Sequence, residues 1–266
     1  MKISLSNEVK VPMIGIGTYS LEKEHISAAL ECGYRLIDTA SQYGNEECVG
    51  AAVKESSVAR SDIFISTKLW TSDIREHRTR SAFFESMERL QVDYVDMYLI
   101  HWPADGFEDA WVEMEKLYNE GYIRTIGVSN FHRGHFEKLE KIQTVKPMVN
   151  QIESHPRFHN KELIEYCLDK GIRVEAWSPF GGTGARMLQN EVILKIAQKH
   201  KKSSSQIVLR WHIQRGIITL PRSTSRERLL LNLDVFDFEL DEEDMLLMES
   251  IDTHKRLGAD PENFNF

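Results

Sequence analysis

Eight short apolar runs, separated by longer amphipathic stretches, constrain the fold of this chain more than any other feature. The runs occupy residues 13–18, 34–40, 63–68, 94–102, 123–130, 148–153, 173–179 and 216–221. They are rich in β-branched and aromatic residues, as buried strands are. Strands that alternate with helices favour a parallel sheet. Eight such units in 266 residues predict an α/β protein with a closed (β/α)8 TIM barrel.

Helix signals mark several of the stretches between the runs. Residues 75–91 repeat apolar side chains at helical spacing, and residues 160–171 begin at Asn160, a capping residue type, and end at Gly171. Residues 203–216 begin with serine and end with glycine. Each of these stretches is therefore predicted to be a helix on the outside of the barrel.

The first ten residues alternate in polarity and carry a turn signal at Asn7 and Glu8, which predicts a short β-hairpin before the first barrel strand. No linker interrupts the pattern, so we expect a single domain over 1–266 rather than two domains. The runner-up architecture is an open doubly wound sheet. A dinucleotide-binding sheet of that kind usually shows G-x-G-x-x-G after its first strand, and here Gly15 and Gly17 lack the third glycine.

Charge and cysteine content limit which binding partners and which cellular compartment we expect. The chain has 33 basic and 41 acidic residues, a net charge of −8, so neither nucleic acid nor an anionic membrane is expected as a main partner. No uncharged apolar run approaches the roughly 18 residues of a membrane span. The three cysteines, at Cys32, Cys48 and Cys167, are far apart and form no CxxC motif. They indicate reduced thiols and a cytoplasmic protein.

Polar residues stand at the ends of three consecutive runs. Asp38 ends the second run, Lys68 the third and His101 the fourth, and Tyr43 lies in the loop after the second. Chemistry in a barrel of this kind takes place at the carboxyl ends of the strands. We therefore expect these four side chains to meet at one mouth of the barrel.

The four residue types suit the delivery of a proton to an oxygen atom. A tyrosine has an ordinary pKa of about 10, and a neighbouring ammonium lowers it towards the working pH of a general acid. Asp38 would keep Lys68 charged, and His101 would align a carbonyl oxygen with the Tyr43 hydroxyl. Taken singly, each residue has an ordinary structural interpretation as a turn, surface or packing residue. The set of four favours catalysis.

Two histidine pairs admit a different interpretation. His155 with His159 and His132 with His135 superficially resemble ligands of a metal-dependent barrel hydrolase. Pro156 interrupts the first pair just past a predicted strand. We expect no metal site.

Several longer motifs, in order, resemble those of the aldo-keto reductase family over nearly the whole chain. They are IDTASQYGNEECVG (37–50), ISTKLW (65–70), LIHWP (99–103), IGVSNF (126–131), VNQIESHP (149–156) and LPRSTSRERLLLN (220–232). The pattern is closest to the microbial 2,5-diketogluconate reductase-like and small aldehyde reductase branch. The resemblance implies a carbonyl reductase dependent on NADPH, with NADH possible, in which Asp38, Tyr43, Lys68 and His101 form the catalytic tetrad. It also leaves open a nucleotide-binding scaffold that turns over poorly.

The resemblance further implies which residues contact the cofactor: Gly17, Thr18, Asp38, Ser129, Asn130, Gln151, Trp177, Ser178, Pro179, Phe180, Gly182, Arg222, Ser223, Thr224, Arg228 and Asn232. Trp177, where a Tyr is common in the family, would stack on the nicotinamide. Arg222, Ser223 and Arg228 would bind the 2′-phosphate that distinguishes NADPH from NADH. Leu231 stands where a Glu often contacts adenine, which puts that contact in doubt.

The expected substrate is a small carbonyl compound, such as a small aldehyde, a 2-oxoaldehyde or a keto sugar, and the expected product is an alcohol. Tyr19, Trp70, His101 and Trp102, with Phe107 beside them, would line an aromatic substrate pocket. Short loops predict that this pocket is open and permissive. We expect the protein to be a monomer.

Overall fold

A β-hairpin precedes the barrel. The computed structural model describes residues 1–182 and 184–266, and in it β1 (Lys2–Ser4) pairs antiparallel with β2 (Lys10–Pro12). Glu8 adopts the left-handed conformation (φ 67°) in the turn. The Asn7 side chain donates to the carbonyl of Arg124 at 2.9 Å, at the amino ends of the barrel strands. The predicted hairpin is confirmed, and it lies over the end of the barrel opposite the predicted mouth.

Eight parallel strands form the barrel wall in sequential order. They are β3 (Ile16–Gly17), β4 (Leu36–Asp38), β5 (Phe64–Leu69), β6 (Met97–Ile100), β7 (Ile126–Ser129), β8 (Val149–Glu153), β9 (Arg173–Trp177) and β10 (Ile218–Thr219). Ile14 bridges Thr219 in parallel, and the Gly15 amide donates to the Thr219 carbonyl at 2.9 Å. This pairing joins the two edges of the sheet, so the predicted (β/α)8 barrel is confirmed.

Helices surround the barrel, as the alternation predicted. They are α1 (Lys23–Cys32), α2 (Glu46–Glu55), α3 (Thr71–Arg75), α4 (Thr79–Leu90), α5 (Phe107–Asn119), α6 (Arg133–Leu139), α7 (Lys161–Asp169), α8 (Glu191–His200), α9 (Ser204–Gln214), α10 (Arg226–Leu233) and α11 (Glu242–Glu249). All six residues of β5 are buried, as expected for a parallel strand that is covered on both faces. The helices thus exclude water from the outer face of the strands that carry the site.

Two local predictions differ from the structure. The helix predicted at 75–91 is present as α4 but begins only at Thr79, because His77 adopts a left-handed backbone (φ 53°) after the short α3 ends at Arg75. Asn160 precedes α7, but its side chain makes no capping bond and instead donates to the Glu153 carbonyl at 3.3 Å. The predicted serine start of α9 is confirmed, since Ser203 and Gln206 form a reciprocal capping box.

Candidate active site

The barrel brings the four predicted residues to one mouth. Asp38 is the last residue of β4, Lys68 lies in the neighbouring β5, and His101 directly follows β6. Tyr43 ends a short 3₁₀ turn after β4. The carboxyl ends of adjacent parallel strands meet at the same rim. The side chains therefore converge although 63 positions separate Asp38 from His101 in the chain.

Lys68 and Asp38 form a buried ion pair. The Lys68 ammonium donates to both oxygens of Asp38 at 2.8 Å and to the Thr39 carbonyl at 2.8 Å. The lysine is wholly inaccessible to water. Burial lowers the pKa of Lys68, but the charges of Asp38 and Tyr43 outweigh it and leave that pKa above its ordinary value. The ammonium therefore stays charged, with all three of its protons directed to oxygen atoms.

Tyr43 lies beside this ion pair, with the ammonium of Lys68 at 5.1 Å from the centre of its ring. The desolvated position of the phenol raises the pKa of Tyr43, and Lys68 opposes that rise without reversing it. The net lowering of this pKa that the sequence predicted is wrong, because burial outweighs the effect of the neighbouring ammonium. A raised pKa keeps the phenol protonated at neutral pH, which a proton donor needs.

His101 completes the group as a neutral imidazole. Burial, followed by the charge of Lys68, lowers its pKa well below the ordinary histidine value. Its ring stands edge-on to Tyr43 at 5.7 Å and to Trp70 at 5.0 Å between ring centres. A neutral imidazole carries one N–H. His101 can therefore donate a hydrogen bond to an oxygen placed beside the Tyr43 hydroxyl without bringing a second charge into the mouth.

Amide groups form a network on the opposite side of the mouth. The Trp177 indole donates to Asn130 Oδ1 at 2.9 Å, and Asn130 Nδ2 donates to the His101 carbonyl at 3.0 Å and to Ser129 Oγ at 3.1 Å. Ser129 Oγ donates in turn to the Gln151 carbonyl at 2.8 Å. These partners leave only one orientation for the Asn130 amide. Its oxygen has one further lone pair with which to accept an N–H from a ligand.

Gln151 connects this network to the ion pair. Its Nε2 donates to Asp38 Oδ1 and to Glu175 Oε2, each at 2.9 Å. Glu175 is fully buried in β9, and burial, followed by the Asp38 charge, raises its pKa to about 7. Glu175 was not predicted, because a lone carboxylate inside a strand carries no recognisable motif. With both protons of Nε2 engaged, Gln151 presents its Oε1 as an acceptor.

A cavity of about 830 Å³ opens at this mouth. Most predicted cofactor contacts line it, namely Gly17, Asp38, Ser129, Asn130, Gln151, Trp177, Ser178, Pro179, Phe180, Gly182, Arg222 and Arg228. So do Tyr43, His101, Tyr19 and Trp102. Ser20, Gly184, Ala185 and Leu220 also line it and were not predicted. The lining thus includes three residues of the tetrad, Asp38, Tyr43 and His101, and two arginines, Arg222 and Arg228.

Four predicted cofactor residues stand back from the cavity wall. Thr18 Oγ1 donates to the Asp38 carbonyl at 3.0 Å, and Ser223 Oγ is engaged within the turn that leads to Ser225. Asn232 is buried and lies against the side chain of Tyr34, and Thr224 is exposed. Thr18 supports Asp38 through the backbone. The cofactor roles of all four stay predictions.

Two aromatic residues beside the mouth, Trp70 and Trp102, pack against the last residues of the chain. Phe266 stacks on Trp70 at 5.5 Å, and Phe264 packs on Trp102 at 5.3 Å, between ring centres. Arg75 donates to the Phe266 carbonyl at 2.9 Å. Sequence patterns do not show where an irregular segment packs, so these contacts were not predicted.

Phe107 was predicted to lie beside the pocket, and this was wrong. Its side chain is 2% exposed at the start of α5 and packs against Phe131 in the core at 5.0 Å between ring centres. Tyr19, by contrast, is 63% exposed at the rim, edge-on to Tyr43 at 5.3 Å. Tyr19 and Trp102 are therefore the predicted substrate residues that the cavity exposes beside the tetrad.

The histidine pairs have protein partners. His155 Nε2 lies 3.1 Å from Glu153 Oε1, and His132 Nδ1 lies 2.9 Å from Glu262 Oε1. Within residues 1–182 and 184–266, no group of three or more His, Cys, Asp or Glu side chains is placed to hold a metal ion. In the same residues, no helix is long and apolar enough to cross a membrane.

Comparisons with a family model and with related sequences identify the same protein family. Residues 14–253 match the model of the aldo/keto reductase family. Glyoxal reductase of Bacillus subtilis is 47% identical over 270 residues, which cover 99% of this chain and 97% of that protein. Methylglyoxal reductase DkgA of Escherichia coli is 40% identical over 269 residues, 98% and 97% of the two chains.

Comparison with solved structures identifies the same family. MGS-M4, an aldo-keto reductase from a Medee basin deep-sea metagenome library, superposes with a TM-score of 0.96 at 42% identity. The match covers 99% of this chain and 100% of that one. At this identity the likeness extends beyond the fold to the family.

Proposed function

Because the chain belongs to the aldo-keto reductase family, and is therefore an oxidoreductase, we propose that it reduces aldehydes and ketones to alcohols with NADPH. A nicotinamide cofactor is general in the family, and NADPH bound in the cavity would supply the hydride. The observation that carries the proposal is the Asp38–Lys68 ion pair beside Tyr43 and His101, at the floor of a cavity lined by amide acceptors.

The chain offers each part of such a cofactor a suitable group. Asn130 Oδ1 and Gln151 Oε1 would accept from the carboxamide, and Trp177 would stack on the nicotinamide ring. The backbone of 178–182 would follow the pyrophosphate. Arg222 and Arg228, which also line the cavity, would bind the 2′-phosphate. NADH lacks that phosphate, so we expect it to be the weaker cofactor.

Tyr43 would protonate the carbonyl oxygen as negative charge develops on it. The neutral His101 would donate a hydrogen bond to the same oxygen and hold it against the Tyr43 hydroxyl. Lys68, kept charged by Asp38, would stabilise the phenolate that remains. The proton thus moves from the Tyr43 oxygen to the substrate oxygen, and no nucleophile from the chain takes part.

The proposed substrates are small carbonyl compounds, including 2-oxoaldehydes and keto sugars. Tyr19 and Trp102 provide an apolar rim beside the tetrad. The names of the Bacillus subtilis and Escherichia coli relatives point to glyoxal and methylglyoxal as the first compounds to test. We further propose a single-domain, cytoplasmic monomer without nucleic acid or membrane partners.

The test is turnover of Tyr43→Phe. We expect the variant to lose about 10²- to 10⁴-fold in kcat for methylglyoxal and for an aromatic aldehyde, while its affinity for NADPH stays the same. The matched control is Tyr122→Phe, which removes a phenol at the amino end of β7, far from the mouth. Near-normal turnover by Tyr43→Phe would refute the mechanism. Tight NADPH binding by a wild-type protein that reduces no carbonyl would favour a scaffold.

A further inference from the structure

A buried carboxylate beside the site holds a segment near the end of the chain. Glu153, the last residue of β8, is inaccessible to water. Its Oε1 accepts from the Leu257 amide at 2.7 Å, and its Oε2 accepts from the Gly258 amide at 3.0 Å. Hydrogen bonds from backbone amides to an ionised carboxylate are stronger than bonds between neutral groups. Residues 257 and 258 are therefore clamped onto the end of a barrel strand.

His155 keeps this carboxylate ionised. The Arg157 amide donates to His155 Nδ1 at 3.3 Å, so the ring proton of the neutral tautomer lies on Nε2, which is 3.1 Å from Glu153 Oε1. Burial raises the pKa of Glu153, but these three donors outweigh it and leave that pKa below its ordinary value. The clamp is thus present throughout the neutral pH range.

The clamped glycine contacts the edge of Trp177. A Cβ added at Gly258 would lie 2.5 Å from Trp177 Cη2 and 3.3 Å from Cζ2. Because the second distance is much longer than the first, the glycine approaches the rim of the indole and not its face. Only a residue without a side chain can lie there while the Trp177 ring keeps its position.

Trp177 is therefore held at two points on its rim. Its indole N–H donates a hydrogen bond to Asn130 Oδ1 at 2.9 Å, and Gly258 lies against the benzo edge of the ring. Glu153 and Trp177 are also register partners across β8 and β9, so the clamp and the ring start from neighbouring points of the barrel rim. Neither contact occupies a face of the indole.

We infer that Glu153 and Gly258 are positioning residues of the cofactor site, which set the orientation of the Trp177 indole through the clamped segment 257–258. This inference depends on the proposed function, in which Trp177 stacks on the nicotinamide. The clamp fixes the ring before the cofactor arrives, so binding does not have to immobilise it. Neither residue touches substrate or the reacting atoms.

The test measures cofactor affinity in matched variants. Gly258→Ala places a methyl group against the ring edge, and Glu153→Gln weakens the clamp. The Kd for NADP⁺, measured by isothermal titration calorimetry, should rise about tenfold in each, the upper range expected for a lost aromatic contact. The KM for the carbonyl substrate at saturating NADPH should stay unchanged. Gly134→Ala, where the added methyl meets open space, is the control and should bind as wild type does.

The same variants in a Trp177→Ala background separate positioning from general damage. If the clamp acts through the indole, neither substitution should change the Kd further once the indole is gone. A Gly258→Ala protein with wild-type affinity would overturn the inference, and so would an equal loss in both backgrounds. A wild-type protein that binds neither NADP⁺ nor NAD⁺ would instead overturn the proposed function on which the inference stands.

Discussion

At the scale of single residues, the Asp38–Lys68 pair contributes both to the proposed activity and to the stability of the fold. Lys68→Met leaves the Asp38 carboxylate buried without its cation. Breaking a buried pair in this way costs about 3–5 kcal/mol of unfolding free energy. We expect urea denaturation to show this loss of stability. Carbonyl reduction should be lost as well, since no cation then stabilises the phenolate form of Tyr43.

The double variant Asp38→Asn/Lys68→Met serves as the control for that experiment. Removing both charges abolishes the unpaired carboxylate, so much of the lost stability should return while turnover stays absent. A Lys68→Met protein as stable as wild type would show that burial of the pair has no energetic consequence.

Glu175 should give the protein a pH-dependent stability. Its folded pKa is about 7 against an ordinary value of 4.5, so the folded state binds the proton more tightly than the unfolded state does. Below pH 4.5 Glu175 is protonated in both the folded and the unfolded state, so no stability is lost there. As the pH rises towards 7 the unfolded state ionises first, and stability falls by about 3 kcal/mol. This loss should be present in full above pH 7.

Glu175→Gln removes that titration and keeps an oxygen for Gln151. Urea unfolding at pH 5 and pH 8 should therefore show a smaller difference for the variant than for wild type. Equal differences in the two proteins would mean that Glu175 does not titrate in this window when folded.

At the scale of elements, strand positions were predictable, whereas helix ends were predictable only where a capping residue acts locally, as at Ser203 before α9. Each barrel strand is a buried β-rich run, which is visible in the sequence because both faces are covered. The break between α3 and α4 depends on a left-handed His77, a conformation that no residue type in that stretch demands. Asparagine is a residue type that favours helix capping, yet the side chain of Asn160 instead donates a hydrogen bond to the carbonyl of Glu153.

The packing of α2 on α4 depends on Gly50. A Cβ at Gly50 would lie 2.4 Å from the Leu90 carbonyl oxygen and 2.9 Å from that of Arg89. Alanine favours a helix over glycine by about 1 kcal/mol, but here overpacking against backbone should prevail. We expect Gly50→Ala to lower the unfolding free energy by about 1–3 kcal/mol. Gly134→Ala in α6, which meets no neighbour, should raise it slightly. A stabilised Gly50→Ala would show that the two helices separate without cost.

At the scale of the whole molecule, the strand order explains why the tetrad could be predicted. Successive barrel strands lie side by side, so polar residues at successive strand ends must meet. Contacts made by irregular segments follow no such rule. The C-terminal phenylalanines on Trp70 and Trp102, and the clamp of Glu153 on Gly258, join residues more than a hundred positions apart without regular structure between the partners. Only the folded chain shows them.

The charge distribution of the molecule yields a final prediction about cofactor choice. The net charge is −8, yet Arg222 and Arg228 line the cavity. Both side chains are exposed, so salt screens their attraction for a phosphate. The ratio of the Kd for NAD⁺ to that for NADP⁺ should decrease when the salt concentration is raised from about 0.05 M to about 0.5 M.

The variant Arg228→Gln tests the same preference by mutation. At low salt its ratio of the Kd for NAD⁺ to that for NADP⁺ should be about tenfold lower than that of wild type, because a paired, charged hydrogen bond is lost. Arg226→Gln is the matched control, since Arg226 pairs with Glu31 at 2.7 Å and does not line the cavity. If Arg228→Gln weakened both cofactors equally, Arg228 would serve a feature that they share, and the preference for NADPH would need another source.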